Sequence, residues 1–334
     1  MSIIVRQSGM QTTVQDLGRS MWQHIGVPVG GAMDNAAHRI ANLLVGNDDE
    51  AAAFECALGG VALQFNQSAL VAVTGRDISA SLDGTPIPAW HPFAVHRGEL
   101  VVLHAGCRTT IAIAGGLDVP VVLDGRGTSL RAAFGGWHGR ALQRDDSIPI
   151  GLPTPLADRM TADLNARHRI VADWGASAAM RPPYASKPTL RFLPGPEYHL
   201  LTDTSRDVLL GDTFRIAPDS DRMGFRLTGH TLSLVTSREI TSCGVTAGTI
   251  QLPPGGAPIV LMADRQTTGG YPRLGDVIAV DLPLLAQLRP GDSFRFAPTS
   301  LVEAQAAYRA REATLRHAAR ALNLRFAAGA DGSR

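Results

Sequence analysis

Short apolar runs, broken by glycine and proline, set the rhythm of this chain. "SIIVRQSG" opens with a run of strand length. From Ala52 to Leu103 the runs in "GGVALQF", "ALVAVTG", "ISASLDG" and "FAVHRGELVVLH" predict successive β-strands. Asp83-Gly84 in "SLDGTPI" is a hairpin-turn dipeptide. "TTIAIAGGLDVPVVL" continues the sheet. Helical periodicity is scarce. It shows first in "NAAHRIANLLVGN", where Ala37, Ile40, Ala41 and Leu44 share a face. Asp34 is the expected N-cap and Gly46-Asn47 the expected stop.

Residues 151–188 read as a Pro-rich linker: "GLPTPL" and "MRPPYASKP" flank a stretch without apolar periodicity. A second β-rich segment begins at "TLRFLPGPEYHLL". The halves echo each other. "QSALVAVTGRD" resembles "GAPIVLMADRQ", and "FAVHRGELVVL" resembles "LAQLRPGDSFRF". The echo points to two tandem β-barrel-like domains, at 1–150 and 189–298. Residues 299–334 predict a helix and a flexible tail. Leu301, Tyr308, Leu315 and Leu322 fall seven apart, a narrow stripe that either covers its own domain or docks a partner. "AAGADGSR" reads as a disordered end.

Composition narrows the function classes. The chain has 334 residues, enough for two cores, and a net charge of +1, which gives no field to attract nucleic acid or an anionic membrane. No run approaches the roughly 20 apolar residues of a membrane span. Cys56, Cys107 and Cys243 are far apart and form no zinc pair. Their odd number and the absence of a signal-like N-terminus lead us to expect a reduced, cytoplasmic protein.

The candidate chemistry sits on polar loops after strands. In "DRQTTGGYP", Gln266, Thr267 and Thr268 bring an amide and two hydroxyls beside Gly269 and Gly270, with Tyr271 following. Such a set can hold a ureido or lactam group, and the glycine N–H groups can stabilise an oxyanion. The same residues also suit a tight turn that satisfies its own backbone. Arg222 and Arg226 can fork a carboxylate or phosphate, or stand as two solvated arginines. "GRGTSLR" is glycine-rich but lacks the lysine of a P-loop. No Ser-His-Asp order, paired-carboxylate motif or metal-ligand spacing is present. His24, His91, His96, His104 and His138 are scattered, and Cys243 reads as a small buried residue.

"QDLGR…GVPVGGAMD…AHRIANLLVGN", "GTIQLPPGGAPIVLMADRQTTGGYP" and "LLAQLRPGD" together identify a family. From about Ile4 to Phe296 the chain resembles the C-component family of prokaryotic ATP-dependent 5-oxoprolinase. That family is also labelled allophanate hydrolase subunit 2, biotin-dependent carboxyltransferase, and antagonist of a histidine-kinase inhibitor. The resemblance implies a mainly β fold of two tandem cyclophilin-like barrels with a few helices. It implies the B and A components of 5-oxoprolinase as partners, a small amide or lactam substrate, and ATP with Mg as a substrate of the complex, opening 5-oxo-L-proline to L-glutamate. Two alternatives come with it: carboxyl transfer from carboxybiotin to urea, and regulatory binding without catalysis. No biotin-attachment Met-Lys is present, so any biotin belongs to another chain. Matching motif positions are Asp34, Arg222, Arg226, Gln251, Asp264 and Gln266 to Tyr271. Of these, Asp264, Gln266, Thr267, Thr268 and Tyr271 are expected to act in catalysis. Arg222, Arg226, Gln251, Gly269, Gly270 and Asp34 are expected to bind substrate. Relatives tend to read "GSRST" where Gly125 to Ser129 here reads "GRGTS".

Overall fold

The computed structural model describes residues 2–236 and 240–327. By contact the chain divides into two units. The first comprises Met1–Gly18, Asp34–Arg181 and Arg311–Arg334, and the second Arg19–Met33 and Pro182–Ala310.

The first unit holds β1 (Ser2–Ser8), β2 (Gln11–Gln15), α1 (Asn35–Leu44), β3 (Ala53–Ala57), β4 (Val61–Phe65), β5 (Ala69–Gly75), β6 (Ser79–Leu82), β7 (Thr85–Ile87), β8 (Pro92–Val95), β9 (Leu100–Ala105), β10 (Arg108–Ile113), β11 (Ser147–Pro149) and α2 (Pro155–Ala166). Its strands form two sheets, in the orders β11-β1-β4-β9-β6-β7 and β2-β3-β10-β5-β8. Period-two alternation sends Val5, Leu63 and Leu103 from one sheet and Val14, Phe54 and Ile111 from the other into one shared core. Asp83 and Gly84 form the two-residue turn between β6 and β7, both at positive φ (45° and 81°). On the far face of the second sheet, Thr13, Glu55, Thr110 and Thr74 lie in register across four strands. The buried helix α1 lies against β5 and β10, and the Thr74 hydroxyl donates to Ala37 O at 2.8 Å.

Asp34 caps α1, its Oδ1 accepting from Ala37 N at 2.9 Å, and Gly46 follows the last turn at φ 77°. The stretch read as a linker contains α2. Thr154 caps it through Ala157 N at 3.1 Å, Pro155 opens it, and Ala157, Met160 and Leu164 are its buried residues. Only three of its twelve residues are buried, and Leu156, Ala162 and Ala166 blur the face they define, so no helical period stands out in the sequence.

The second unit holds β12 (Thr189–Pro194), α3 (Asp203–Gly211), β13 (Phe214–Ile216), β14 (Gly224–Thr228), β15 (Cys243–Gly244), β16 (Thr249–Gln251), β17 (Ile259–Leu261), β18 (Thr268–Gly269), β19 (Arg273–Val277), α4 (Leu282–Ala286) and β20 (Ser293–Pro298). Seven strands close into a barrel, β12-β19-β16-β17-β14-β13-β20, with the parallel pair β12/β20 completing the ring. Phe192, Phe214 and Phe294 pack around Phe296 with ring centroids 5.0–5.7 Å apart, inside the range favoured by edge-to-face pairs. β15 and β18 form a separate two-stranded ribbon.

α5 (Leu301–Ala327) opens on a capping box. Glu303 N donates to Ser300 Oγ at 3.2 Å, and Ser300 N donates to Glu303 Oε2 at 2.9 Å. The four-residue stripe divides: Leu301 and Tyr308 are 59% and 46% exposed, whereas Leu315 is buried. A seven-residue step drifts by about 20° per repeat on a straight helix, so the stripe does not stay on one face. The first ten residues of α5 belong to the second unit and the rest to the first. The "AAGADGSR" expectation lies, beyond Ala327, outside the described residues.

Candidate functional site

β17 ends at Leu261, and the chain turns out of the barrel through Asp264. Two backbone bonds tie this turn to the approach to β14: Met262 N to Met223 O at 2.9 Å and Asp264 N to Arg222 O at 2.8 Å. The side chains repeat the link. Arg222 Nε and Nη2 donate to the two carboxylate oxygens of Asp264, each at 2.8 Å, and Nη2 also donates to Gly31 O at 2.7 Å. The two side chains are 6% and 12% exposed, so this is a buried, bidentate ion pair. Gly30 and Gly31 have φ of 67° and 83°, the left-handed region where a Cβ is disfavoured. That geometry brings Gly30 N within 3.1 Å of Ala263 O. Arg222 therefore commits its fork to the loop itself. Arg226, on β14, pairs with Asp219 at 3.1 Å and stands 57% exposed, away from Asp264.

Around this turn stand glutamine amides and a second guanidinium. Gln251, the last residue of β16, is 2% exposed. Its Oε1 accepts from Gln266 Nε2 at 3.4 Å, but its own Nε2 is buried with no acceptor among the described residues. Gly269 packs so closely on this amide that a Cβ there would collide with Nε2. Thr267 O accepts from Val245 N at 3.1 Å, and Cys243 Sγ contacts Gly269 O at 3.7 Å, so the β15/β18 ribbon fixes the back of the loop. Thr268 and Tyr271 are exposed. Gly270 lies against Ser242 and Ile240.

Sequence reasoning passed over Arg265. It is 6% exposed, and its hydrogen bonds go to neutral oxygens: Nε to Val245 O and Nη2 to Gln23 Oε1, both at 3.3 Å. Burial lowers its pKa from the usual arginine value. A sequence gives no sign of this, because burial of a charge depends on which distant loops cover it. Gln23 arrives from the short 3-10 helix Ser20–Ile25, far away in the chain.

Asp34 belongs to the first unit, where it caps α1. The Gly125–Ser129 loop is also in that unit. There Arg126 N donates to Asp16 Oδ2 at 2.5 Å, and Gly127 abuts the Gln15 and Asp16 side chains. His24, His91 and His104 contact Met21 O, Trp174 O and Ser81 Oγ, and His138 packs on Trp137. His38 is fully buried, and burial lowers its pKa against the pull of Asp16 and Glu55. Burial pushes the Cys56 thiol up to about 12, so it is no nucleophile at neutral pH. All three cysteines are free. Among the described residues no cluster of His, Cys, Asp or Glu could hold a metal, and no helix is long and apolar enough to cross a membrane.

A closed barrel with amide-bearing loops at a strand end, joined to a second β unit, is the architecture of a carboxyltransferase domain. The chain belongs to that family: residues 25–298 match the carboxyltransferase domain, subdomain A and B. Among its relatives is the C subunit of 5-oxoprolinase from Escherichia coli, 38% identical over 301 residues, covering 89% of this chain and 91% of that protein. The corresponding 5-oxoprolinase protein of Haemophilus influenzae is 36% identical over 297 residues, covering 88% and 90%. The crystal structure of Kluyveromyces lactis urea carboxylase superimposes with a TM-score of 0.85 at 25% identity over 95% of this chain. This chain spans only 29% of that protein.

Proposed function

We propose that this chain is the C component of an ATP-dependent 5-oxoprolinase, working with the B and A components to open 5-oxo-L-proline to L-glutamate. One observation carries the reading: the buried Gln251 Nε2 that lacks an acceptor among the described residues, set beside the Gln266 amide and packed against Gly269. A buried donor without a partner costs about 1–3 kcal/mol. A lactam carbonyl is an acceptor of the right kind, and the interaction strengthens as negative charge grows on its oxygen.

In this reading Gln251 donates to the lactam oxygen and Gln266 holds the Gln251 amide in place. Thr267, Thr268 and Tyr271 would add hydroxyl contacts to a bound substrate, Thr268 and Tyr271 being exposed. Asp264 acts indirectly, by locking the loop to Arg222 and Gly31. ATP and Mg are handled by the assembled complex. The two bacterial 5-oxoprolinase relatives, matched along nearly their whole length, support this assignment.

The test is reconstitution with the B and A components. Gln266→Ala is expected to lower ATP-dependent 5-oxoproline cleavage at least about tenfold, the loss of roughly one well-placed hydrogen bond, while leaving the fold intact. Activity equal to wild type would overturn the site assignment. A second reading, carboxyl transfer to urea, draws on the family match and on the K. lactis urea carboxylase superposition. Supplying carboxybiotin and urea to the same preparation separates it from lactam opening. Turnover in neither assay would favour a binding role without catalysis.

A further inference from the structure

Two buried arginines beside this loop differ in their partners. Arg222 lies against a carboxylate that matches its fork. Arg265 does not. At 6% exposure it has no acidic partner among the described residues, and its two hydrogen bonds, both at 3.3 Å, reach only an amide oxygen and a main-chain carbonyl. The one nearby carboxylate of its own loop, on Asp264, is already bound twice by Arg222. The hydrogen bonds of Arg265 to the described residues use Nε and Nη2 only, and Nη1 is not among the fully buried, unsatisfied atoms, so one edge of the guanidinium stays reachable. A guanidinium cannot shed its proton to escape this situation, as a lysine or histidine would. Taking a cation out of water with no counter-charge is among the costliest things a fold can do. Such a charge is retained where something outside the chain supplies the anion.

We propose that Arg265 is the anion-holding residue of a small-molecule site, and that its ligand is a carboxylate which also bears an amide or lactam group. The carboxylate meets the free edge of the Arg265 guanidinium. The amide end meets Gln251, whose Nε2 also lacks a partner, through the loop that Gln266 shares with Arg265. Two donors of different charge without protein acceptors, carried by one loop and the strand it touches, define a ligand with two acceptor ends. One end is ionised and one is neutral. This deepens the lactam reading above, because 5-oxo-L-proline is a molecule of that class. It stands apart from that reading in resting on a buried charge without an acidic partner among the described residues.

The experiment compares wild type, Arg265→Met and Arg265→Lys. Thermal unfolding is followed on the chain, and ligand binding is measured calorimetrically on the chain assembled with its partner subunits. The probes are 5-oxo-L-proline, 2-pyrrolidinone (the same lactam without the carboxylate), succinamate (an open-chain amide carboxylate) and inorganic phosphate. Without ligand, Arg265→Met is expected to melt no lower than wild type, since it removes a buried charge that has no acidic partner among the described residues and keeps an apolar stem, against the loss of two long hydrogen bonds. Wild type should prefer 5-oxo-L-proline to 2-pyrrolidinone by at least about tenfold, the worth of one charge-assisted hydrogen bond. Arg265→Met should lose that preference, and Arg265→Lys should recover part of it. A lower melting temperature for Arg265→Met without ligand would show that the fold itself compensates the charge, and would overturn the proposal. Equal binding of 5-oxo-L-proline by wild type and Arg265→Met would do the same, as would tighter binding of phosphate than of either carboxylate. Arg265-dependent binding of succinamate with none of 5-oxo-L-proline would sustain the anion site and sink the lactam reading.

Discussion

Asp264→Asn tests the central scaffold of the site. It keeps shape and volume but removes the charge that faces Arg222. The Arg222 and Asp264 side chains are 6% and 12% exposed, and each of the two bonds between them measures 2.8 Å. Breaking a buried pair by neutralising one partner strands the other charge, at a cost of about 3–5 kcal/mol. An exposed pair of equal geometry would contribute no more than about 1 kcal/mol. The two estimates lie far enough apart to decide. For a unit of this size, 1 kcal/mol corresponds to roughly 2–4 °C in Tm, so the variant should melt roughly 6–20 °C lower. The assay is thermal unfolding of the whole chain by calorimetry, wild type against variant, in which a destabilised second unit melts earlier. The paired replacement Arg222→Met with Asp264→Leu should recover much of the loss, because it removes both charges of the pair together. A shift under about 2 °C for Asp264→Asn, or a double variant as damaged as the single, would refute the claim that a desolvated ion pair anchors the loop.

Two further outcomes follow from contacts described above. Gly269→Ala should push the Gln251 amide out of place and cost about 1–3 kcal/mol by overpacking, seen as a lower urea midpoint together with a larger loss of 5-oxoproline cleavage; an unchanged midpoint would show the amide can move aside. In the first unit, Arg39 holds Glu312 through two bonds of 2.6 and 2.9 Å, and this pairing sets the Glu312 carboxyl below its usual range. A depressed folded-state pKa stabilises above the unfolded value of about 4.3 and is lost as pH falls through the folded one. The Tm gap between wild type and Glu312→Gln should therefore be full at about pH 6 and close below about pH 4; a gap that widens on acidification would contradict the sign.

Much of the scaffold was legible in the residues. α1 has its cap, face and stop where "DNAAHRIANLLVGN" places them, and Asp83-Gly84 turns the expected hairpin. These features depend on neighbours within a few positions. What was not legible depends on distance. Arg222 reads as a ligand-binding fork until Asp264, 42 residues on, is found to occupy it. Arg265 draws no reading at all, because its burial is set by Gln23 and Val245, both distant in the chain, while its neighbour Asp264 pairs with Arg222. Two barrels were expected from the echo between halves. The second unit closes as one, while the strands of the first form two sheets around a common core, with no ladder between them among the described residues. Strand-length runs do not reveal how a sheet ends.

The segment Arg19–Met33 gives the barrel a history as well as a shape. It belongs to the second unit, and 242 residues separate Gln23 from the Arg265 it contacts. At ribosomal speeds of about 5–20 residues per second, this loop emerges on the order of ten to fifty seconds before its partners exist. Met33 enters the barrel core, and Gly31 receives the Arg222 fork. A gene fragment encoding only the contiguous stretch from Pro182 onward would therefore make a barrel lacking one wall of its own site. The unit is contiguous in space but not in translation, so the order in which the chain is made becomes part of how the site is assembled.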